Sequence, residues 1–246
     1  MLLENRVAVV HGAGGSIGGA AARAFAREGA RVFLAGRTRD KLDELAAGLP
    51  GAEAAVVDAL DEAAVDAFTG SVAERAGRID VCFNAIGIQD VQRPLGEISA
   101  AEFLRPIEVA TRTQFLTTRA AVRHMAPRGG GVILMFGGGG PQTQPGLGGL
   151  KVALDAMESM RRQWAAEYGP YGIRVLTLVT GGIPESLPDS VGAKDRIAAA
   201  IAGGSLLKRA ATLADVGNVA AFAASDLAAS MTSATLNISC GAIVDH

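Results

Sequence analysis

Seven short runs of apolar and β-branched residues punctuate the chain: "RVAVV" (6–10), "RVFLA" (31–35), "EAAVV" (53–57), "IDVCFN" (79–84), "GVILMF" (131–136), "IRVLTLV" (173–179) and "ATLNIS" (234–239). Continuous apolar strands alternating with longer helical patterns predict a parallel sheet covered by helices on both faces. Between the first two runs, "GGAAARAFAREGA" predicts an alanine-rich helix ending at Gly29, where glycine can take the left-handed cap conformation. Further on, Leu150, Leu154, Met157, Met160 and Trp164 recur at steps of four, three, three and four, one helical face suited to core or subunit packing. No repeat or low-complexity linker interrupts the pattern, so a single domain over 1–246 is expected. "GGIPESLPDSVGAK" (181–194) reads as a long loop after a strand, and long irregular segments in compact domains are often lids.

Composition narrows the function classes. With 246 residues, 49% hydrophobic and 20% charged, the chain can bury a sizeable core. A net charge of −2 and the absence of like-charge blocks give no field to attract nucleic acid. Glu4 and Arg6 interrupt the first apolar run, and nowhere do 18 apolar residues follow one another, so a cytoplasmic protein with no membrane partner is expected. Cys82 and Cys240 follow no metal-ligand or redox spacing and read as small core residues of a reduced protein. His11, His124 and His246 form no metal-binding spacing either.

The strongest chemical signal is "HGAGGSIGGAAARAF", where the first strand runs into a helix through Gly12, Ser16, Ile17 and Gly18. Small residues there let the backbone approach a pyrophosphate, and the N–H groups at the helix start favour its charge. Between first strand and first helix, this predicts dinucleotide binding. The second strand ends in "LAGRTRDKL": where an acid would accept hydrogen bonds from an adenosine ribose stand Gly36, Arg37 and then Arg39. A planar guanidinium suits a 2′-phosphate, so NADP(H) is preferred over NAD(H), the alternative being arginines on a solvated face. In "VVDALD", Asp58 either receives the adenine amino group or caps the next helix.

Taken with "FNAIG" (83–87), Lys151 at the opening of a long helix, "AAEYGPYGIRVLTLVTGGI" (165–183) and "AAFAASDLAASMTSATLNISCGAIV" (220–244), these segments resemble the short-chain dehydrogenase/reductase family over nearly the whole sequence. The resemblance implies a single α/β Rossmann domain with a doubly wound, seven-stranded parallel sheet. It also implies a nicotinamide cofactor, a small-molecule substrate, a lid at about 182–206, and homodimers or homotetramers packed through the long helices. Asn84, Gly87 and Gly181 join Gly12, Ser16, Ile17, Gly18, Arg37 and Asp58 as implied cofactor-binding residues.

The proton machinery that the resemblance implies is a serine, a tyrosine, a lysine and an asparagine. Those positions fall on Gly138, Leu147, Lys151 and Ala110, so Lys151 alone is kept. No alignment slip restores the others, because residues 119–158 contain neither serine nor tyrosine, and Thr143 is the only side-chain hydroxyl there. The enoyl-reductase spacing would put Gln144 in the acid's place. Tyr168 and Tyr171, beyond that helix, are expected to pack. Lys151 retains one role that needs only an ammonium, hydrogen-bonding the nicotinamide ribose, the alternative being a surface lysine. Asp90 and Glu185 border the nicotinamide in the family and are the carboxylates to weigh as substitute acids against ordinary loop residues. His11 is expected to order the glycine turn; Gln142, Thr143 and Gln144 can hydrogen-bond a ligand without being adequate acids. Two functions remain: an NADP(H)-dependent oxidoreductase of unusual or weak carbonyl/alcohol activity, and a catalytically degenerate cofactor-binding protein acting as sensor or partner subunit.

Overall fold

A computed structural model of the protein describes residues 1–88, 90–138, 143, 145–187 and 194–244. Seven strands, β1 (Val7–His11), β2 (Arg31–Gly36), β3 (Glu53–Val56), β4 (Val81–Asn84), β5 (Gly131–Phe136), β6 (Ile173–Val179) and β7 (Ala234–Asn237), form one sheet in the order β3-β2-β1-β4-β5-β6-β7. Every pairing is parallel. The helices are α1 (Ser16–Arg27), α2 (Arg39–Ala47), α3 (Glu62–Ala76), α4 (Ala100–Met125), α5 (Gly148–Tyr168), α6 (Lys194–Gly204) and α7 (Leu213–Ala224). All seven apolar runs lie on strands, with ends displaced by one or two residues: β1 extends to His11, and β7 stops at Asn237.

Alternation along each strand divides the core in two. Ala8, Val10, Leu34, Val81 and Phe83 face α1, α2 and α7, meeting Phe25, Leu42 and Val216. Val7, Val9, Phe33, Ile133 and Val175 face α3, α4 and α5, meeting Val65, Leu116, Met157 and Trp164. The doubly wound arrangement follows directly, since strands apolar on both sides need helices on both sides. On α5, Met157 and Trp164 are buried while Leu150, Leu154 and Met160 are only partly covered. Tyr168 packs against the second core, but Tyr171 is 53% exposed and does not pack as expected. Cys82 is buried and Cys240 only partly so, both as free thiols. Gly29 takes φ +92° after α1, as the sequence predicts.

The two long helices meet at a point that admits no side chain. A Cβ at Gly149 would collide with the Phe103 carbonyl oxygen and come within 2.9 Å of Pro106, the proline inside α4. Among the described residues no helix is long and apolar enough to cross a membrane.

His11 is a polar residue buried against the second core. It is 1% exposed, its ring meets Phe68 edge-on at 5.8 Å between centroids, and neither nitrogen has a hydrogen-bond partner in the protein. It therefore does not order the glycine turn through a hydrogen bond. Burial pushes its pKa down to about 4 from 6.5. An unfolded chain takes up this proton below about 6.5, whereas the folded chain resists until about 4, so stability is full above the upper value and is lost as pH falls through the window. Between pH 7 and pH 4.5 the linkage is worth about 2–3 kcal/mol. Urea unfolding at the two pH values should show native protein losing that much more stability than His11→Phe. Equal losses in the two proteins would contradict a neutral buried imidazole.

Candidate cofactor cleft

Strand order reverses between β1 and β4, with β2 and β3 on one side and β5 to β7 on the other. Loops leaving the carboxyl ends of such a pair part in opposite directions and open a crevice. A cleft of about 280 Å³ occupies this place, lined by the glycine turn (Gly12, Gly14, Gly15), the end of β2 (Gly36, Arg37), Lys41, Asp58, Ala59, the Ala85–Gly87 loop, and Arg105, Val109 and Thr113 of α4.

Glycine is required in the turn for steric reasons. Gly12 has φ +76°, and a Cβ there would stand 2.7 Å from the Ala85 carbonyl oxygen; one at Gly18 would run into the carbonyl of Gly12. Gly15 precedes α1 without a side-chain cap, and the first turn holds no acid, so the helix start presents its N–H groups and partial positive charge toward the cleft. Ser16 is exposed, Ile17 half-buried and Gly18 buried. Asn84, 2% exposed, donates from Nδ2 to the Thr117 hydroxyl at 3.0 Å and accepts from the Ile86 N–H at 3.1 Å. It thereby fixes the loop that ends at Gly87, beside which a Cβ would meet open space. Gly181 is tightly backed: a Cβ would lie 2.5 Å from Ala242 and 3.2 Å from Ser239.

Two sequence readings resolve here. Asp61 caps α3, accepting from the Ala64 N–H at 3.1 Å, while Asp58 accepts from the Leu60 N–H at 3.0 Å and lines the cleft. The capping alternative for Asp58 is thus excluded. Arg37 lines the cleft as expected, but Arg39 does not join it; Arg39 opens α2 and pairs with Asp43 at 3.5 Å, and Lys41 reaches the cleft instead. Arg105 is a further cation on this lining, held 3.3 Å from Glu108. Neither Lys41 nor Arg105 was singled out by the sequence. His11 is also among the residues around the cleft.

The lining stops short of Lys151, Gly138, Leu147 and Gly181. Lys151 sits in the first turn of α5 and donates to Asp155 Oδ1 at 2.6 Å. Ala110 is buried on α4 and Leu147 half-buried just before α5. The segment after β4 lies against the start of α5, where Gly148 has φ +49° and a Cβ would come 3.1 Å from Ile98. Of the two carboxylates weighed as acids, Asp90 accepts from Gln92 at 3.1 Å, and Glu185 accepts from the Leu213 N–H at 2.8 Å, tying the segment after β6 to the start of α7. Thr143 is exposed and His124 half-buried on α4; Gln142, Gln144, His246 and residues 188–193 of the predicted lid lie outside the described residues. Among the described residues no group of three or more His, Cys, Asp or Glu could hold a metal ion.

The residues present fit a dinucleotide: a turn too tight for side chains, an uncapped helix start, an asparagine-braced loop and a cationic rim. Comparison with known proteins gives the same direction. A family model described as Enoyl-(Acyl carrier protein) reductase matches residues 12–242. Meso-2,3-butanediol dehydrogenase of Serratia marcescens is 32% identical over 252 residues, covering 98% of this chain and 96% of its own length. An enoyl-[acyl-carrier-protein] reductase [NADH] of Synechocystis sp. is 30% identical over 209 residues, covering 84% and 81%. The crystal structure of a gluconate 5-dehydrogenase from Burkholderia cenocepacia J2315, in complex with NADP and tartrate, shares the fold at TM-score 0.88 and 25% identity, covering 98% of this chain and 96% of that one. Similarity of that extent, on a sheet of this order and around a glycine turn of this shape, makes the chain a member of the short-chain dehydrogenase/reductase family of oxidoreductases.

Proposed function

We propose that the protein binds NADP(H) in this cleft and carries out hydride transfer between the cofactor and a small carbonyl or alcohol substrate with atypical or weak activity. The observation that carries the cofactor choice is the end of β2, where Gly36 leaves no carboxylate to repel a 2′-phosphate and Arg37 and Lys41 stand on the cleft lining. The NADP complex of the Burkholderia relative supports this reading, whereas the Synechocystis relative is named for NADH. The charges of this chain's own rim support NADP(H). Gly12, Ser16, Ile17 and Gly18 would hold the pyrophosphate; Asp58, the adenine; Asn84, Gly87 and Gly181, the course of the loops along the nicotinamide half; Lys151, its ribose.

When bound, the cofactor supplies the hydride. The chain's own residues align it, and alignment accounts for much of a barrier reduction in such transfers. What the side chains do not offer is a general acid at Gly138 or Leu147, a contribution of roughly 10²–10⁴-fold. Asp90 accepts from Gln92 and Glu185 from the Leu213 N–H, each through one oxygen, and these two carboxylates are the substitute acids to test. The pairing of Lys151 with Asp155 favours a second reading, a cofactor-binding sensor or partner subunit in which little turnover occurs. The single-domain organisation, the lid over 182–206, a homodimeric or homotetrameric state and a cytoplasmic location belong to the same proposal.

The deciding experiment titrates the purified protein with NADPH and NADH and then screens carbonyl substrates under the tighter binder; binding without turnover selects the second reading. NADPH should bind roughly tenfold or more tightly, as a charge-assisted contact to the 2′-phosphate is commonly worth about 1.5–3 kcal/mol. Arg37→Ala and Lys41→Ala should each shrink the ratio, with Arg39→Ala leaving it in place. Equal affinities in the native protein would defeat the assignment.

Lys151→Ala should weaken NADPH binding several-fold, measured by nicotinamide fluorescence. Asp155→Asn removes the competing carboxylate and should leave affinity equal or improved. Unchanged affinity in Lys151→Ala would reduce Lys151 to one half of a helix ion pair.

A further inference from the structure

Gly138 is buried two residues beyond β5. A Cβ at this position would stand 2.8 Å from Glu158 Oε1 and 3.2 Å from Thr177 Cγ2. A flexible side chain could swing aside, but Glu158 is anchored through one oxygen by two side chains, Arg161 and Thr235. Its Oε2 accepts from Arg161 at 2.7 and 3.2 Å and from the Thr235 hydroxyl at 3.0 Å. Arg161 in turn donates to the Ser233 carbonyl and, at 3.3 Å, to its hydroxyl. Glu158 and Arg161 are 8% and 6% exposed, and separating such a pair leaves an uncompensated buried charge. The other oxygen, Oε1, has no partner in the protein and is the atom directed at Gly138. α5, β6 and β7 thus converge behind one glycine.

We propose that Glu158 is a positioning residue for the chain just after β5, beyond the cleft lining: its anchored carboxylate occupies the space that a side chain at 138 would need. Residue 138 is thereby restricted to glycine, and the chain after β5 presents backbone where a hydroxyl donor would otherwise stand. The functional meaning of position 138 rests on the hydride-transfer reading; the steric coupling of 138 to 158 does not. It follows that Gly138→Ser together with Leu147→Tyr is insufficient to build a proton donor, because the serine has no room until the ion pair is removed. Removal must take both charges, as in Glu158→Ala with Arg161→Met, which leaves no buried ion alone.

The test is a cycle of variants read by thermal unfolding, NADPH fluorescence and reduction of a small α-diketone. Gly138→Ala should lower Tm by roughly 4 °C or more in the native background, the ordinary consequence of overpacking in a chain of this size. Glu158→Gln, which keeps the bulk, should preserve that penalty, and Glu158→Ala with Arg161→Met should at least halve it. In the pair-deleted background, adding Gly138→Ser and Leu147→Tyr should raise diketone reduction about tenfold or more, with a new pH dependence from the phenol; in the native background the same two changes should give less than a threefold gain. Gly138→Ala that leaves Tm unchanged in the native background overturns the proposal, and does so even if the pair-deleted chain fails to fold. Equal rescue in the two backgrounds overturns it as well. Failure of the native protein to bind NADPH sinks the cofactor reading instead and leaves the Tm cycle readable.

Discussion

At Gly12 the turn after β1 and the loop after β4 approach so closely that a single methyl group would strike the Ala85 carbonyl. Much of the cleft depends on that approach. It brings the start of α1 against the Ala85–Gly87 loop, so helix N–H groups from one side and a backbone fixed by Asn84 from the other face the same space. The sheet makes the approach possible because β1 and β4 are adjacent, in register from Ala8 with Val81 to His11 with Asn84, while their following segments diverge. A larger residue at 12 would have to part these loops, and with them the cleft between them.

The strands were legible because burial on both faces demands continuous apolar runs, a signal that survives without any knowledge of the partners. Their ends were less so: hydrophobicity placed the first strand at 6–10, but His11 continues the β1 ladder, its imidazole accepted into the core against Phe68. The cleft was legible in the same measure. Gly12, Gly18, Arg37 and Asp58 stand at fixed offsets from strand ends, and offsets can be read from sequence. Lys41 was missed in favour of Arg39 because the choice turns on helix phase. Residues 39 and 43 lie one above the other on α2 and pair, whereas residue 41 points to the opposite side, toward the glycine turn, where its Cβ is the nearest neighbour of a Cβ built on Gly14.

Glu158 and Arg161 were unreadable for a different reason. An acid and a base three residues apart on a helix usually describe a solvated face. Here that face meets β6 and β7, and the threonine that donates to the carboxylate, Thr235, lies far along the chain, beside Thr177 only through strand pairing. Spacing within α5 contains no trace of this. The sequence does contain the complementary fact, a glycine at 138, whose meaning depends on what stands behind it.

The cleft and the segment around Gly138 therefore rest on different physical supports. The cleft beside β1 is built mostly of backbone: a turn too tight for side chains, a helix start and a braced loop, with cations added at the rim. Such a support is inseparable from the fold, since altering Gly12 or Gly18 alters how the loops meet the sheet. Around Gly138 a proton donor would be a side chain alone, and its presence or absence would leave strands and helices where they are. Glu158 goes further by filling the space behind Gly138 with an anchored ion pair, joining α5 to β7 in doing so. On the proposal made above, packing behind Gly138 can bar a side chain there without disturbing the glycine turn after β1, because the two are built from different elements.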